Sequence, residues 1–266
     1  MHVRNKWSRP DHSPSSAIVV ARSRDAKLGD CSATHLSQWS CPITCPMLGV
    51  DGKRGNCYAE STKTRQRFTT HRLNSSLVRS PLAIARELAE KVCDLADSKK
   101  RKGKKLRYSV VGDASTRASA YVQGVAASYW FRKTNIPVYG YTHSDQTYRS
   151  DWGDEISMLA SVQTIDPDTH EIQRNDVNKS IASFRSRGYK FFSVIIAKHE
   201  HGSQPYTDPT TGLRLIACRY QLPNHSGRKV TCDHCNLCLE SCLQSAGLDG
   251  VAFQLDDVKV KRKGTA

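Results

Sequence analysis

Leu106-Arg107-Tyr108-Ser109-Val110-Val111, followed at once by Gly112-Asp113, is the stretch on which the fold of this chain turns. The run is of strand length and rich in β-branched and aromatic residues, and a polar pair ends it. The same construction recurs. Pro137 to Tyr141 is followed by Thr142-His143-Ser144-Asp145, Ser157 to Val162 by Gln163-Thr164, Phe191 to Ala197 by Lys198-His199-Glu200, and Leu213 to Ala217 by Cys218-Arg219. Val251 to Leu255 closes the series. Several spacers have helical character, among them Arg117 to Arg132 and Val177 to Arg187. Strand–helix–strand repetition predicts a parallel sheet with crossovers. The number of units favours a full or partial α/β barrel, with an open sheet as the alternative.

Upstream, Ala17 to Ala21 reads as a short strand and Ala33 to Trp39 as a weaker one. A loop bearing cysteine and proline runs from Ser40 to Cys57, and Tyr58-Ala59-Glu60 signals a helix. Ser80-Pro81 opens a clearer helix, with Leu82, Ala85, Leu88, Val92 and Leu95 at helical spacing. It runs into the basic segment Lys99 to Lys105, which suits a helix C-terminus and equally a phosphate. The expected organisation is an N-terminal extension over 1–30, a partial α/β barrel with a cysteine loop over 31–217, and a cysteine-rich C-terminal segment over 218–266.

The 266 residues carry 40 Lys and Arg against 25 Asp and Glu, a formal charge of +15. That excess suits a polyanionic partner, nucleic acid or a phosphate-rich substrate, and equally a purely solubilising surface. No apolar run is long enough to span a bilayer, and the first residues lack the apolar block of a signal peptide. A soluble cytoplasmic protein with no membrane partner is expected. Ten cysteines in such a compartment are better metal ligands than disulfide partners.

In parallel α/β architecture the chemistry gathers at the C-terminal ends of the strands. Asp113, Thr142, His143, Gln163 and Lys198 are therefore expected to converge on one face. Asp113, Thr142 and Lys198 are the catalytic candidates, and His143 is the weakest member. Any one of them alone reads as a strand reaching solvent.

The cysteines fall into two groups. Cys41, Cys45 and Cys57 form C-x3-C-x11-C in the loop after the second strand. Soft thiolates select zinc or iron–sulfur. Three leave an open coordination position, and Cys31 is the alternative fourth ligand that would close the site as structural zinc. Cys232, Cys235, Cys238 and Cys242 follow C-x2-C-x2-C-x3-C, the spacing of bacterial ferredoxins, with Cys218 upstream. The favoured ligand set is Cys218, Cys232, Cys235 and Cys238, with Cys242 facing the core of a short helix over 239–246; four-thiolate zinc is the alternative. Cys93 reads as a small hydrophobic residue on the capped helix.

The three-cysteine loop with an aromatic residue after its last cysteine resembles the radical S-adenosylmethionine superfamily. More narrowly, Cys41-Pro42-x2-Cys45-Pro46 with Gly55-x-Cys57-Tyr58-Ala59 is similar to a group of phage and plasmid proteins. Gly112-Asp113, Tyr141-Thr142-His143, Ala160-Ser161 and Cys235-x2-Cys238 with Leu237 match that group too, so the resemblance spans roughly Thr34 to Leu255. The superfamily's usual loop is C-x3-C-x2-C, and this chain keeps only the first interval.

The resemblance implies a (βα)6-type partial barrel with a [4Fe–4S] cluster on Cys41, Cys45 and Cys57. S-adenosylmethionine would bind the open iron, with Gly112, Asp113 and Gln163 as cofactor-binding candidates. One electron from a donor partner would cleave the sulfonium, and the 5′-deoxyadenosyl radical would take hydrogen from a substrate, with a nucleotide or nucleic acid the candidate. The C-terminal cysteines would hold an auxiliary cluster. The competing expectation is a non-enzymatic nucleic-acid-binding protein with structural zinc or iron–sulfur sites; a cluster-based redox sensor is a third.

Overall fold

The computed structural model describes residues 15–23, 25–42, 65–164, 174–196, 201–222 and 230–254, with side chains from 69 and from 176 in the two helices that begin the third and fourth of these segments. Among the described residues nine strands form one sheet: β1 (Ala17–Val20), β2 (Ser32–Leu36), β3 (Leu106–Val111), β4 (Val138–Thr142), β5 (Ile156–Gln163), β6 (Phe192–Ile196), β7 (Tyr206–Thr207), β8 (Arg214–Ala217) and β9 (Gly250–Gln254). Five α-helices accompany them among the same residues: α1 (Arg65–Asn74), α2 (Pro81–Asp97), α3 (Arg117–Thr134), α4 (Arg174–Ser186) and α5 (Glu240–Ser245).

The strand order is β1-β2-β3-β4-β5-β6-β9-β8-β7. All pairings from β2 through β9 to β8 are parallel, and β1 and β7 add antiparallel edges. The protein is thus a mixed α/β fold on a mostly parallel sheet. β1 draws the N-terminal stretch into the sheet, and β9 lies inside it between β6 and β8. Among the described residues no helix is long and apolar enough to cross a membrane.

Side-chain alternation divides the sheet into two faces. On one, Leu106 and Tyr108, Val138, Ile156 and Met158, Phe192 and Val194 pack with Ile84, Leu88 and Val92 of α2, Trp130 of α3 and Ile181 and Phe184 of α4. On the other, Leu159, Ile216, Val251 and Phe253 pack with Leu243 and Leu248 of the C-terminal segment. Helices therefore cover one face, and the cysteine-rich segment covers the other.

The cap expected at Ser80 is present in position: Pro81 opens α2, though the serine side chain makes no capping bond. Thr116 and Ser119 form a reciprocal capping box on α3, and Asn135 ends it in the left-handed conformation. The strand expected over 33–39 stops at Leu36, because Gln38–Ser40 turns into a short 3-10 helix. The helix signalled at Tyr58-Ala59-Glu60 lies outside the described residues.

One irregularity shapes the site. Ser109 has a φ of +49° and its register against β2 slips between Ala33 and His35, a bulge that bends β3. The β3–β4 ladder pairs Leu106 with Val138 and Arg107 with Tyr139, and no further pair follows among the described residues.

Candidate metal centre and strand-end site

The gap that the bulge opens between β3 and β4 is closed by a side chain. Asp113 Oδ2 accepts the backbone N–H of His143 at 2.7 Å, and Oδ1 accepts that of Ala114 at 2.7 Å. The Thr142 hydroxyl also lowers the Asp113 pKa, while burial outweighs these contacts and pushes the carboxyl up to about 6. The His143 side chain is half-buried with Nε2 enclosed and lacking a partner among the described residues, and burial, with the nearby Arg107 cation, pushes it down to about 4. Asp113, Thr142 and His143 therefore do converge. Both oxygens of Asp113 are engaged with backbone, which makes it a group that holds two strand ends together.

The first cysteine loop leaves from the same edge. Ser40 Oγ accepts the Asp113 N–H at 3.2 Å, one residue before Cys41. Gly112 has a φ of +83°, and a Cβ there would stand 2.5 Å from Leu36 Cβ and 2.8 Å from Ser40 Oγ. Only glycine allows β2 and the strand-end turn to approach so closely. Cys45, Cys57 and Lys198 lie outside the described residues. Gln163 ends β5 with both amide atoms buried and unpartnered among the described residues, and no hydrogen bond joins it to the Asp113 group.

The second cysteine group is assembled on the sheet face opposite the helices. Cys218, Cys232, Cys235 and Cys238 line one pocket with Tyr139 and Tyr141. Burial pushes Cys238 up to about 12, and the neighbouring Cys232, Cys218 and Cys235 thiols push the same way. The Tyr141 hydroxyl opposes this by donating to Cys238 Sγ at 2.7 Å. The Leu237 backbone N–H does the same for Cys235. Lys105 Nζ donates to the Cys232 carbonyl at 2.7 Å and to that of Cys235, so the last residue of the basic run is drawn inward. Among the described residues no three Cys, His, Asp or Glu side chains are placed to share a single metal ion.

Two elements seat this segment. The turn at 25–29 receives it: Cys232 N–H donates to Lys27 O at 2.8 Å, and Gly29, φ +61°, would place a Cβ 2.4 Å from Asp233 Oδ1. From the other side Glu240 takes a bidentate bond from Arg149 at 2.8 and 3.0 Å and the Met158 N–H at 3.1 Å.

Cys31 belongs to this second group. It is fully buried at the entry to β2, at the opposite end of that strand from Cys41. Burial and the adjacent Cys232 push its thiol up to about 12. The alternative in which Cys31 closes the Cys41 site is thus not what the fold brings together. Cys242 is half-buried on α5, where Leu243 takes the core position. Cys93 is half-buried against the main core, as a small apolar residue would be.

Four residues around the pocket were not expected from sequence at the cysteine centre: Lys105, Arg107, Tyr139 and Tyr141. The Arg107 guanidinium lies 4.0 Å from the Tyr141 ring centroid and 5.4 Å from that of Tyr139. Strand alternation in Tyr139-Gly140-Tyr141 places both rings on one face, a legible signal. The inward turn of Lys105 and the placement of Cys31 leave none. The chain matches no family model, no curated protein and no solved structure.

Proposed function

We propose that the chain is an iron–sulfur enzyme of the radical S-adenosylmethionine kind, built on a (βα)6-type partial barrel. Cys41, Cys45 and Cys57 would hold a [4Fe–4S] cluster with an open iron. Cys218, Cys232, Cys235 and Cys238 would hold a second centre enclosed by protein. Bound together, the open cluster and S-adenosylmethionine supply a one-electron cleavage and a hydrogen-abstracting radical; the chain supplies the frame.

The observation that carries this reading is the separation of Cys41 from the four C-terminal thiols. Cys41 leaves from the C-terminal edge of the sheet, where Ser40 is tied to Asp113. The four C-terminal thiols line a pocket of their own on the sheet face opposite the helices. Asp113 positions the β3 and β4 ends, Gly112 gives the loop its close approach, and Thr142 and Lys198 are candidates for contact with substrate. Gln163, with both amide atoms unfilled, is the candidate for cofactor or substrate hydrogen bonds.

The test is turnover. Anaerobically reconstituted protein with dithionite is expected to release 5′-deoxyadenosine from S-adenosylmethionine, slowly without substrate, and the Cys41→Ala variant to release none. No product from a protein shown to hold its iron would overturn the enzymatic reading and favour a non-enzymatic, nucleic-acid-binding role with structural metal.

A further inference from the structure

Trp39 is 47% exposed, whereas Trp130 and Trp152 are 0% and 1% exposed. Its indole is nevertheless held in place. Nε1–H donates to the Asn74 carbonyl at the end of α1 at 3.3 Å, and the Arg79 guanidinium lies 3.9 Å from the ring centroid. A ring fixed at its edge and paired with a cation is a rigid plate whose ordering cost has already been met.

The sequence that follows the Cys41 loop is strongly basic. The sequence from Ser61 to Arg86 contains Lys63, Arg65, Arg67, Arg72, Arg79 and Arg86 and no Asp or Glu. Of these, Arg72, Arg79 and Arg86 are exposed side chains in the described region, as is His71. Leu77 beside them is 81% exposed. A partner that matches both features has negative charge at regular intervals and flat apolar faces free to stack. Single-stranded nucleic acid has both; a duplex keeps its base faces inside the stack. An acidic peptide would match the arginines and leave the plate unused.

The plate also stands at the strand-end site. Trp39 lies in the Gln38–Ser40 turn, and Ser40 receives the Asp113 N–H. We propose that Trp39 and Arg79, with Arg72 at the end of α1, bind single-stranded nucleic acid by stacking a base on the indole beside the Cys41–Asp113 edge. This rests on the functional reading above for its meaning as substrate recognition, while the binding itself needs no bound cluster.

The experiment is fluorescence anisotropy with labelled dT12, rU12 and a DNA duplex, at several salt concentrations. The proteins are wild type, Trp39→Ala, Trp39→Phe, Arg79→Gln and a Lys99/Lys100/Arg101/Lys102→Gln control, each with its urea midpoint measured to verify folding. Single strands are expected to bind more tightly than duplex. Trp39→Ala should weaken them about 5- to 100-fold, the range for loss of one stacked base, and Trp39→Phe should restore most of the loss. Arg79→Gln should lower the salt slope by about one. The dT12 and rU12 arms tell which nucleic acid is preferred.

Affinity of Trp39→Ala within twofold of wild type, equal binding of duplex, or no binding of any oligonucleotide at 50 mM salt would overturn the proposal. Loss confined to the Lys99–Lys102 control would overturn it too. Oligonucleotide binding without 5′-deoxyadenosine formation would sink the enzymatic reading alone, and the converse result would sink only the Trp39 site.

Discussion

The Asp113 carboxylate accepts the His143 backbone N–H at 2.7 Å, and burial moves the two side chains in opposite directions. The carboxyl rises from 3.8 to about 6, and the imidazole falls from 6.5 to about 4. His35 on β2 is lowered to about 4 in the same way. The contributions to stability oppose one another. Folded Asp113 keeps its proton where the unfolded chain has lost it, so its contribution is full below 3.8 and fades as pH rises through about 6. The histidines stay neutral where the unfolded chain takes up protons, so their contribution is full above 6.5 and fades as pH falls toward 4.

Urea unfolding between pH 7 and pH 5 reads these terms separately. Asp113→Asn should lose stability more steeply than wild type as pH falls, and His143→Gln less steeply. Each difference should be about 1–2 kcal/mol across that interval. Parallel pH profiles for all three proteins would contradict the burial described for this pair.

Tyr141 supplies the hydroxyl that faces Cys238 Sγ at 2.7 Å. Tyr141→Phe keeps the ring and its edge contact with Phe253 while removing the donor. Metal held by the C-terminal thiols should be lost to a chelator at about 10–100-fold lower concentration than in wild type, the usual effect of deleting an outer hydrogen bond to a ligand. An unchanged chelator titration would mean that Cys238 is not a ligand or that Tyr141 does not act on it.

Glu240 ties the cysteine-rich segment to β5 through Arg149 and the Met158 N–H, with side-chain exposures of 16% for Arg149 and 23% for Glu240. Glu240→Ala removes the carboxylate partner of a largely buried guanidinium, which keeps the Gly153 and Ile156 carbonyls, and leaves the Met158 N–H without this acceptor, and should cost about 2–3 kcal/mol. Limited proteolysis should then cut near α5 before the helical face opens. Resistance equal to wild type would show that the segment is held by its apolar contacts alone.

Much of the sheet is legible because its strands are short apolar runs with polar ends. Leu106–Val111 was readable to the residue, and the β4, β5, β6, β8 and β9 boundaries shift by at most one position. β7 is two residues long and offers no periodicity to read. Gly112-Asp113 and Thr142-His143 could be expected to meet, because parallel neighbours end on one edge. That Asp113 would bond to backbone at His143 depends on the Ser109 bulge, and a serine in a strand gives no sign of a positive φ. Cys31 is brought beside Cys232, far from it in sequence, by the turn over 25–29 just before it, and Trp39 sits where a strand was expected to continue. These placements arise from tertiary packing and have no local signature.

The most direct measurement is the iron, sulfide and zinc content, with the visible spectrum, of anaerobically purified wild type and two variants. One carries Cys41, Cys45 and Cys57→Ala, and the other Cys218, Cys232, Cys235 and Cys238→Ala. Wild type is expected to hold two separable clusters, and each variant to lose about four irons while keeping a brown chromophore from the other site. Zinc in all three proteins, with no iron, sulfide or visible absorbance, would contradict the account.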